Sequence, residues 1–178
     1  MRTDEFWQLI DSARAGGGGE PAAVAARAVA LLAERDPEEI VGYAHHQQRV
    51  LAASYKVDLW GAAYLINGGA SDDGFEHFRG WLMTQGRAVF ARAVGDPDSL
   101  AELPQVRAAA LSGEEFACED MLAVPWEAYR KATAADLPAD RDPVRAPDLN
   151  DFWDFDDEDE ARRHLPKLAA LFVEPPEE

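Results

Sequence analysis

The chain has one cysteine, Cys118, among its 178 residues. A lone thiol excludes an intramolecular disulfide and any paired-cysteine zinc site. Basic residues are scarce too: 17 lysines and arginines face 34 aspartates and glutamates, a formal net charge of −17. That balance repels nucleic-acid phosphates and anionic membrane surfaces, so neither is expected as a partner. No apolar run approaches the ~20 residues that span a bilayer. The opening "MRTDEFWQLIDSAR" carries acids where a secretory signal needs basic and then apolar residues, so the cytoplasm is the expected address. Internal repeats, strand-like alternation, a GxSxG elbow, a Walker lysine and a post-strand GxGxxG are all missing. Their lack removes the common nucleophile and phosphate-loop devices.

What is present is apolar content at 47%, enough for a real core, and it recurs with a helical period. Residues 3 to 14 predict a short helix, and "GGGGE" (16 to 20) predicts a flexible break. An Ala-rich helix follows from Pro21 to about Glu34, with Val24, Ala28, Leu31 and Leu32 inward. Asp36, Pro37 and Glu39 form a start signal with capping-box spacing. The helical run beyond it should break once near Ser54 to Val57 and end at Asn67-Gly68-Gly69. A helix from "SDDGFEHF" should continue to about Val94, with Gly95 as a left-handed stop. Its cap is either Asp73 with Glu76, or Ser71, or Asp72. "DPDSLAEL" restarts a helix, "FACEDMLAVPWEAYRKAT" is helical on both sides of Pro125, and "EARRHLPKLAALF" should be kinked or split at Pro166.

The expectation is an all-α, single-domain irregular bundle of about six to eight helices. Residues 1–135 form its core. Residues 136–178 form an acidic, Pro-rich segment with a short C-terminal helix, packed on that core. Within 136 to 160, eleven acids and three prolines (Pro138, Pro143, Pro147) stand against two arginines. "DFWDFDDEDE" interleaves Phe152, Trp153 and Phe155 with carboxylates. Either these rings pin the tail to the domain, or the tail docks a basic partner by coupled folding.

The central helix poses the sharpest question. Winding residues 75 to 93 at about 100° per residue puts Phe75, Phe78, Leu82, Val89, Phe90 and Ala93 on one face. Arg79 falls inside that apolar sector, so it should be buried and in need of a partner. The acids Asp58, Asp72 and Asp73 are the candidates, as are carbonyls of the Asn67 to Ala70 turn, and an Arg79–Asp58 ion pair is one structural reading. Gly86 near the sector's centre should admit a close neighbour. Trp81 falls outside the sector, where it could flank a groove.

Beside the structural reading stands a functional one, with Arg79 and its acids lining a polar pocket. Asp72, Asp73, Glu76 and His77 form an acid-rich cluster of a kind that suits Mg²⁺ or Mn²⁺, although helix capping explains the acids without a metal. His45-His46 is a second possible ligand source, though adjacent histidines diverge. Cys118, set in "FACED" among acids, is a small buried residue rather than a nucleophile.

The stretch "LWGAAYLINGGASDDGFEHFRGWLMTQGRAVFARAVGDPDSLAEL" resembles the signature of the DUF4240 family, a bacterial domain of unknown function. The shared features are LW-x-AA, the Gly-Gly-x-Ser-Asp-Asp turn, Phe-x-x-Phe-Arg-x-Trp-Leu, Gln-Gly-Arg and Asp-Pro-Asp-Ser-Leu. "DEFWQLID" resembles the family's start. The resemblance supplies no reaction and no cofactor, but it places Asp72, Asp73, Arg79, Trp81, Gln85 and Arg87 in the defining part. These six are the candidate ligand-binding residues. The expected function is a non-catalytic helical module that binds a small polar ligand or a protein partner. The alternative is a divalent-metal-assisted enzyme, with Asp72 and Asp73 holding the ion and Arg79 or Arg87 stabilising negative charge.

Overall fold

The computed structural model describes residues 1–16, 18–140 and 142–174. One residue of the glycine break, Arg141 of the acidic segment and the last four residues lie outside the described residues. Among those described, every regular element is helical, as the periodicity predicts: ten α-helices, one 3₁₀ turn and no strand. They are α1 (Thr3–Gly16), α2 (Pro21–Ala33), α3 (Pro37–Ala53), α4 (Val57–Asn67), α5 (Asp72–Thr84), α6 (Arg87–Gly95), the 3₁₀ turn Pro97–Glu102, α7 (Pro104–Ser112), α8 (Glu119–Thr133), α9 (Glu158–His164) and α10 (Pro166–Phe172).

There are more helices than the six to eight expected, because Gly86 divides one expected run, Pro166 splits another, and α7 forms where no helix is expected from the sequence. Gly86 takes φ 87°, so α5 ends at Thr84 and α6 begins anew. Gly86 is thus a hinge in the chain rather than a mid-helix glycine. Its lack of a side chain still matters, because a Cβ there would lie 2.7 Å from the Asp11 carboxylate of α1. Gly95 is the last helical residue of α6 and not a left-handed stop; the chain leaves through Asp96 at φ −145°. Pro166 opens α10 and splits the last helix from α9. The Asp-Pro signal at residue 96 starts a 3₁₀ turn instead of an α-helix, whereas the one at residue 36 starts α3 as predicted.

α8 is the central helix, packing on α2, α3 and α5, while α1 lies against α2. Phe6, Tyr43, Phe75, Phe78, Trp81, Leu82 and Met121 are buried together. Burying each such side chain contributes roughly 1.5–3 kcal/mol. Gly80 lets the chain before α8 approach α5, since a Cβ there would stand 2.3 Å from the Cys118 carbonyl oxygen. The Cys118 N–H in turn donates to the His77 carbonyl at 2.9 Å. The Asn67 side chain fastens the same loop by pairing its amide with both backbone groups of Phe116, at 3.0 and 2.9 Å.

The segment after residue 150 returns to the core through three fittings. The Trp153 indole donates to Asp58 at 2.9 Å, and its ring occupies the notch left by Gly61 on α4. The Tyr64 hydroxyl donates to Asp156 at 2.5 Å. Asp98, buried in the 3₁₀ turn, accepts from the backbone N–H groups of Lys167 and Leu168 and so caps α10. Trp153 is therefore a packing residue, with Phe155 partly buried beside it and Phe152 half exposed. No described helix is long and apolar enough to cross a membrane.

Candidate functional site

The turn before α5 is set by two glycines in conformations that a side chain would strain: Gly68 at φ 67° and Gly69 at φ 135°. Ser71 then caps α5, its hydroxyl accepting from the Gly74 N–H at 3.1 Å. Ser71 being the cap, the Asp73–Glu76 capping box does not form. Asp72 and Asp73 sit exposed in the first turn, where the positive end of the helix dipole favours carboxylates.

Arg79 follows two turns later and is only 7% exposed. The expected ion pair is not formed. Asp58 is occupied by the Trp153 indole and lies 3.2 Å from His164 Nδ1, so it faces the C-terminal segment. Among the described residues no carboxylate lies within ion-pair distance of the guanidinium. Instead Arg79 Nη1 donates to the Leu51 carbonyl at 2.7 Å, at the end of α3 rather than in the Asn67 to Ala70 turn. The guanidinium carbon lies 4.6 Å from the Phe75 ring centre and 5.2 Å from that of Tyr55. These faces attract the cation without accepting its N–H hydrogens along a lone pair. Nε is buried and has no partner. Burial pushes the Arg79 guanidinium below its ordinary value, opposed by the charges of Glu76 and Tyr55. It stays protonated at neutral pH nonetheless.

Over Arg79 opens a hollow of about 310 Å³. Gln48, Leu51 and Ala52 of α3 form one wall, and Asp72, Asp73 and Glu76 of α5 form the facing rim. Tyr55 contributes an aromatic edge, and Val144 and Ala146 of the acidic segment close a third side. The Val144 N–H donates to Gln48 at 3.4 Å and holds that strap in place. The arrangement is one buried cation with spare donors under three solvated carboxylates. It offers no nucleophile activated by a base.

The other three sequence candidates lie elsewhere. Trp81 is 2% exposed and stacks on Phe116, with ring centres 4.5 Å apart. It flanks no groove, because the loop before α8 covers the side of α5 that a two-faced reading leaves open. Gln85 is buried at the end of α5, donating to Thr84 at 3.0 Å and accepting from Gln105 at 3.0 Å. Arg87 heads α6, pairs with Asp4 of α1 at 2.6 Å, and lines a separate open cavity of about 570 Å³ with Asp11 and Arg14. The six residues thus divide: Asp72, Asp73 and Arg79 share the hollow, Gln85 and Arg87 lie toward α1, and Trp81 is core. Nor do Asp72, Asp73, Glu76 and His77 converge as a metal set. Among the described residues no group of three or more His, Cys, Asp or Glu side chains could hold an ion.

A further cavity of about 460 Å³ lies between α3, Trp126 of α8 and residues 137–140. Trp126 is 44% exposed there, beside His45, His46 and Arg49. His45 Nδ1 lies 3.0 Å from the Asp140 carboxylate, which this contact holds below the usual carboxylate range. His46 packs on the Phe6 ring and is pushed below its ordinary value by burial and by Arg49. The two histidines diverge, as adjacent helical residues must. Cys118 is buried, and burial raises its thiol. Sequence reasoning missed Gln48, Leu51, Tyr55, Val144 and Ala146 as walls of the Arg79 hollow. Only Tyr55, placed at the expected break between helices, carried any local signal.

A family model described as a protein of unknown function, DUF4240, matches residues 1–131. No curated protein and no solved structure matches the chain.

Proposed function

The chain belongs to the DUF4240 family, and from that premise we propose that it is a non-catalytic helical module binding a small polar ligand in the hollow over Arg79. The observation that carries this reading is the guanidinium itself. It is held in the core by Tyr55 and Phe75, given one hydrogen bond by Leu51, and left without a carboxylate beside an open cavity. A purely structural arginine at such a depth is normally paired, because burying an unpaired charge is costly. A concave site of this volume, at the small end for ligand pockets, favours a small molecule over a protein surface. The net charge of −17 argues against nucleic acid as the occupant, and the cytoplasm is the proposed location.

Thermal-shift screening against metabolites and divalent metals tests the reading. A compound at a hundred times its dissociation constant adds roughly 2.7 kcal/mol to stability. For a chain of this size that corresponds to a rise in Tm of about 5–11 °C. Arg79→Met should abolish the shift. The reading fails if no compound moves the wild-type Tm and no small molecule co-purifies with the protein. It also fails if a bound compound protects Arg79→Met equally.

A further inference from the structure

We infer that the hollow over Arg79 selects a small zwitterion, an α-amino acid or a close relative. Its carboxylate would sit on the guanidinium and its ammonium among Asp72, Asp73 and Glu76. The inference rests on the proposal that this hollow is a ligand site, and adds the class of ligand.

Two independent features of the hollow demand opposite charges. The first is the arginine. Of its five N–H donors one is used, by the Leu51 carbonyl, and Nε is buried with no acceptor. Arg79 is more than nine-tenths buried and lines the cavity, and the Nη2 hydrogens and the second Nη1 hydrogen have no acceptor among the described residues, so a charged acceptor entering the cavity would meet those donors. A carboxylate matches the fork of a guanidinium. The second feature is the rim. Asp72, Asp73 and Glu76 lie within five residues on one helix end, and none pairs with a described cation. Together with Arg79 they leave the hollow at a formal charge of −2, on a chain already at −17.

Each simpler ligand fails on one of these counts. An anion without a cationic group would be drawn to Arg79 but repelled by three carboxylates and by the field of the whole chain. A bare amine would be drawn to the rim but would leave the guanidinium without its acceptor and add a like charge beside it. A molecule carrying both groups a few ångströms apart meets both demands. Leu51, Ala52, Val144, Ala146 and the Tyr55 ring supply an apolar wall for the ligand's side chain. With about 310 Å³ available, the ligand's side chain must be short.

The test is a set of NMR titrations of the full ¹⁵N-labelled chain with three matched series. These are the free amino acids, their N-acetyl derivatives, which lack the cation, and their methyl esters, which lack the anion. At least one small free amino acid should move the Gly74 amide and the Arg79 Nε–H signal, binding at least tenfold more tightly than either derivative. Glu76→Gln and Asp72→Asn, both exposed and so compatible with folding, should each weaken it by about threefold or more. Arg79→Met should lose it. Equal binding of a derivative carrying one charge, or undiminished binding by both rim variants, overturns the zwitterion and leaves the small-ligand reading intact. A ligand of another class found by the thermal screen, with no response from any amino acid, does the same. Silence in both experiments removes the hollow as a site altogether.

Discussion

Substituting Gly80 by alanine should destabilise the protein, although the same change in an unobstructed helix interior stabilises by about 1 kcal/mol. The new Cβ would stand 2.3 Å from the Cys118 carbonyl oxygen and 3.3 Å from Leu122 Cγ. The obstacle is backbone, not the end of a flexible side chain. Relief requires moving the chain before α8 by about an ångström, whose cost as overpacking is about 1–3 kcal/mol. Such a shift also strains the Cys118 N–H bond to His77, worth about 1 kcal/mol net. Setting these against the helix-propensity gain leaves a net loss of about 1–3 kcal/mol. At this chain length that lowers Tm by about 2–12 °C. Gly95→Ala is the matched control. Nothing lies within 4 Å of a Cβ at Gly95 and its φ is ordinary, so that variant should gain up to about 1 kcal/mol. Urea denaturation of the three proteins, with m compared, supplies the numbers. If Gly80→Ala proves as stable as wild type while Gly95→Ala is stabilised, the close crossing of α5 by the loop before α8 is not present in solution.

Four further outcomes are expected. Because no described carboxylate answers Arg79, Arg79→Met should stay within about 1 kcal/mol of wild type or exceed it in urea melts, whereas a loss above about 3 kcal/mol would reveal a buried ionic partner. Asp98→Ala removes the cap of α10 and should cost about 1–2 kcal/mol; hydrogen exchange should speed up in residues 166–172 first, and uniform loss of protection would contradict this. Trp153→Ala should cost about 3–5 kcal/mol, read by denaturation, through the emptied Gly61 notch; a loss under about 1 kcal/mol would mean the tail does not dock. His46 has its folded-state value depressed by burial, so the unfolded chain binds the extra proton first. Its stabilising share is present above about pH 6.5 and is lost as pH falls through the depressed value. Wild type should therefore lose more Tm between pH 7.5 and 5 than His46→Gln, and parallel curves would dismiss the effect.

Local chemistry was readable in the residues; long-range partnership was not. The Asp-Pro start of α3, the break after Ala53, the Gly68-Gly69 turn and the Ser71 cap are all short-range devices, and each is legible from a few neighbouring side chains. Arg79's depth was legible too, from helix phase. Its partner was not. Asp58 looks available until Trp153, 95 residues on, claims it, and the Leu51 carbonyl carries no side-chain signature at all. Trp81 was misplaced because a two-faced helix was assumed, whereas α5 is covered on both sides. Gly80 beside it was the overlooked signal, since a glycine inside a helix next to a tryptophan marks a place where backbone approaches. The hollow's third wall, Val144 and Ala146, comes from a segment without regular secondary structure whose composition says nothing of where it lies.

The C-terminal fittings have a consequence for biosynthesis. Trp153, Asp156 and the start of α10 close on residues 58, 64 and 98, which precede them by 95, 92 and about 70 positions. At about 5–20 residues per second, a ribosome delivers Trp153 roughly 5–19 s after Asp58. During that interval the Gly61 notch lacks the Trp153 ring that fills it, the Trp60 ring has Phe75 and Tyr55 beside it but not Phe152 and Phe155, and Asp98 has no amides to hold. The nascent polypeptide therefore carries an unfilled notch on α4 until Trp153 has been made.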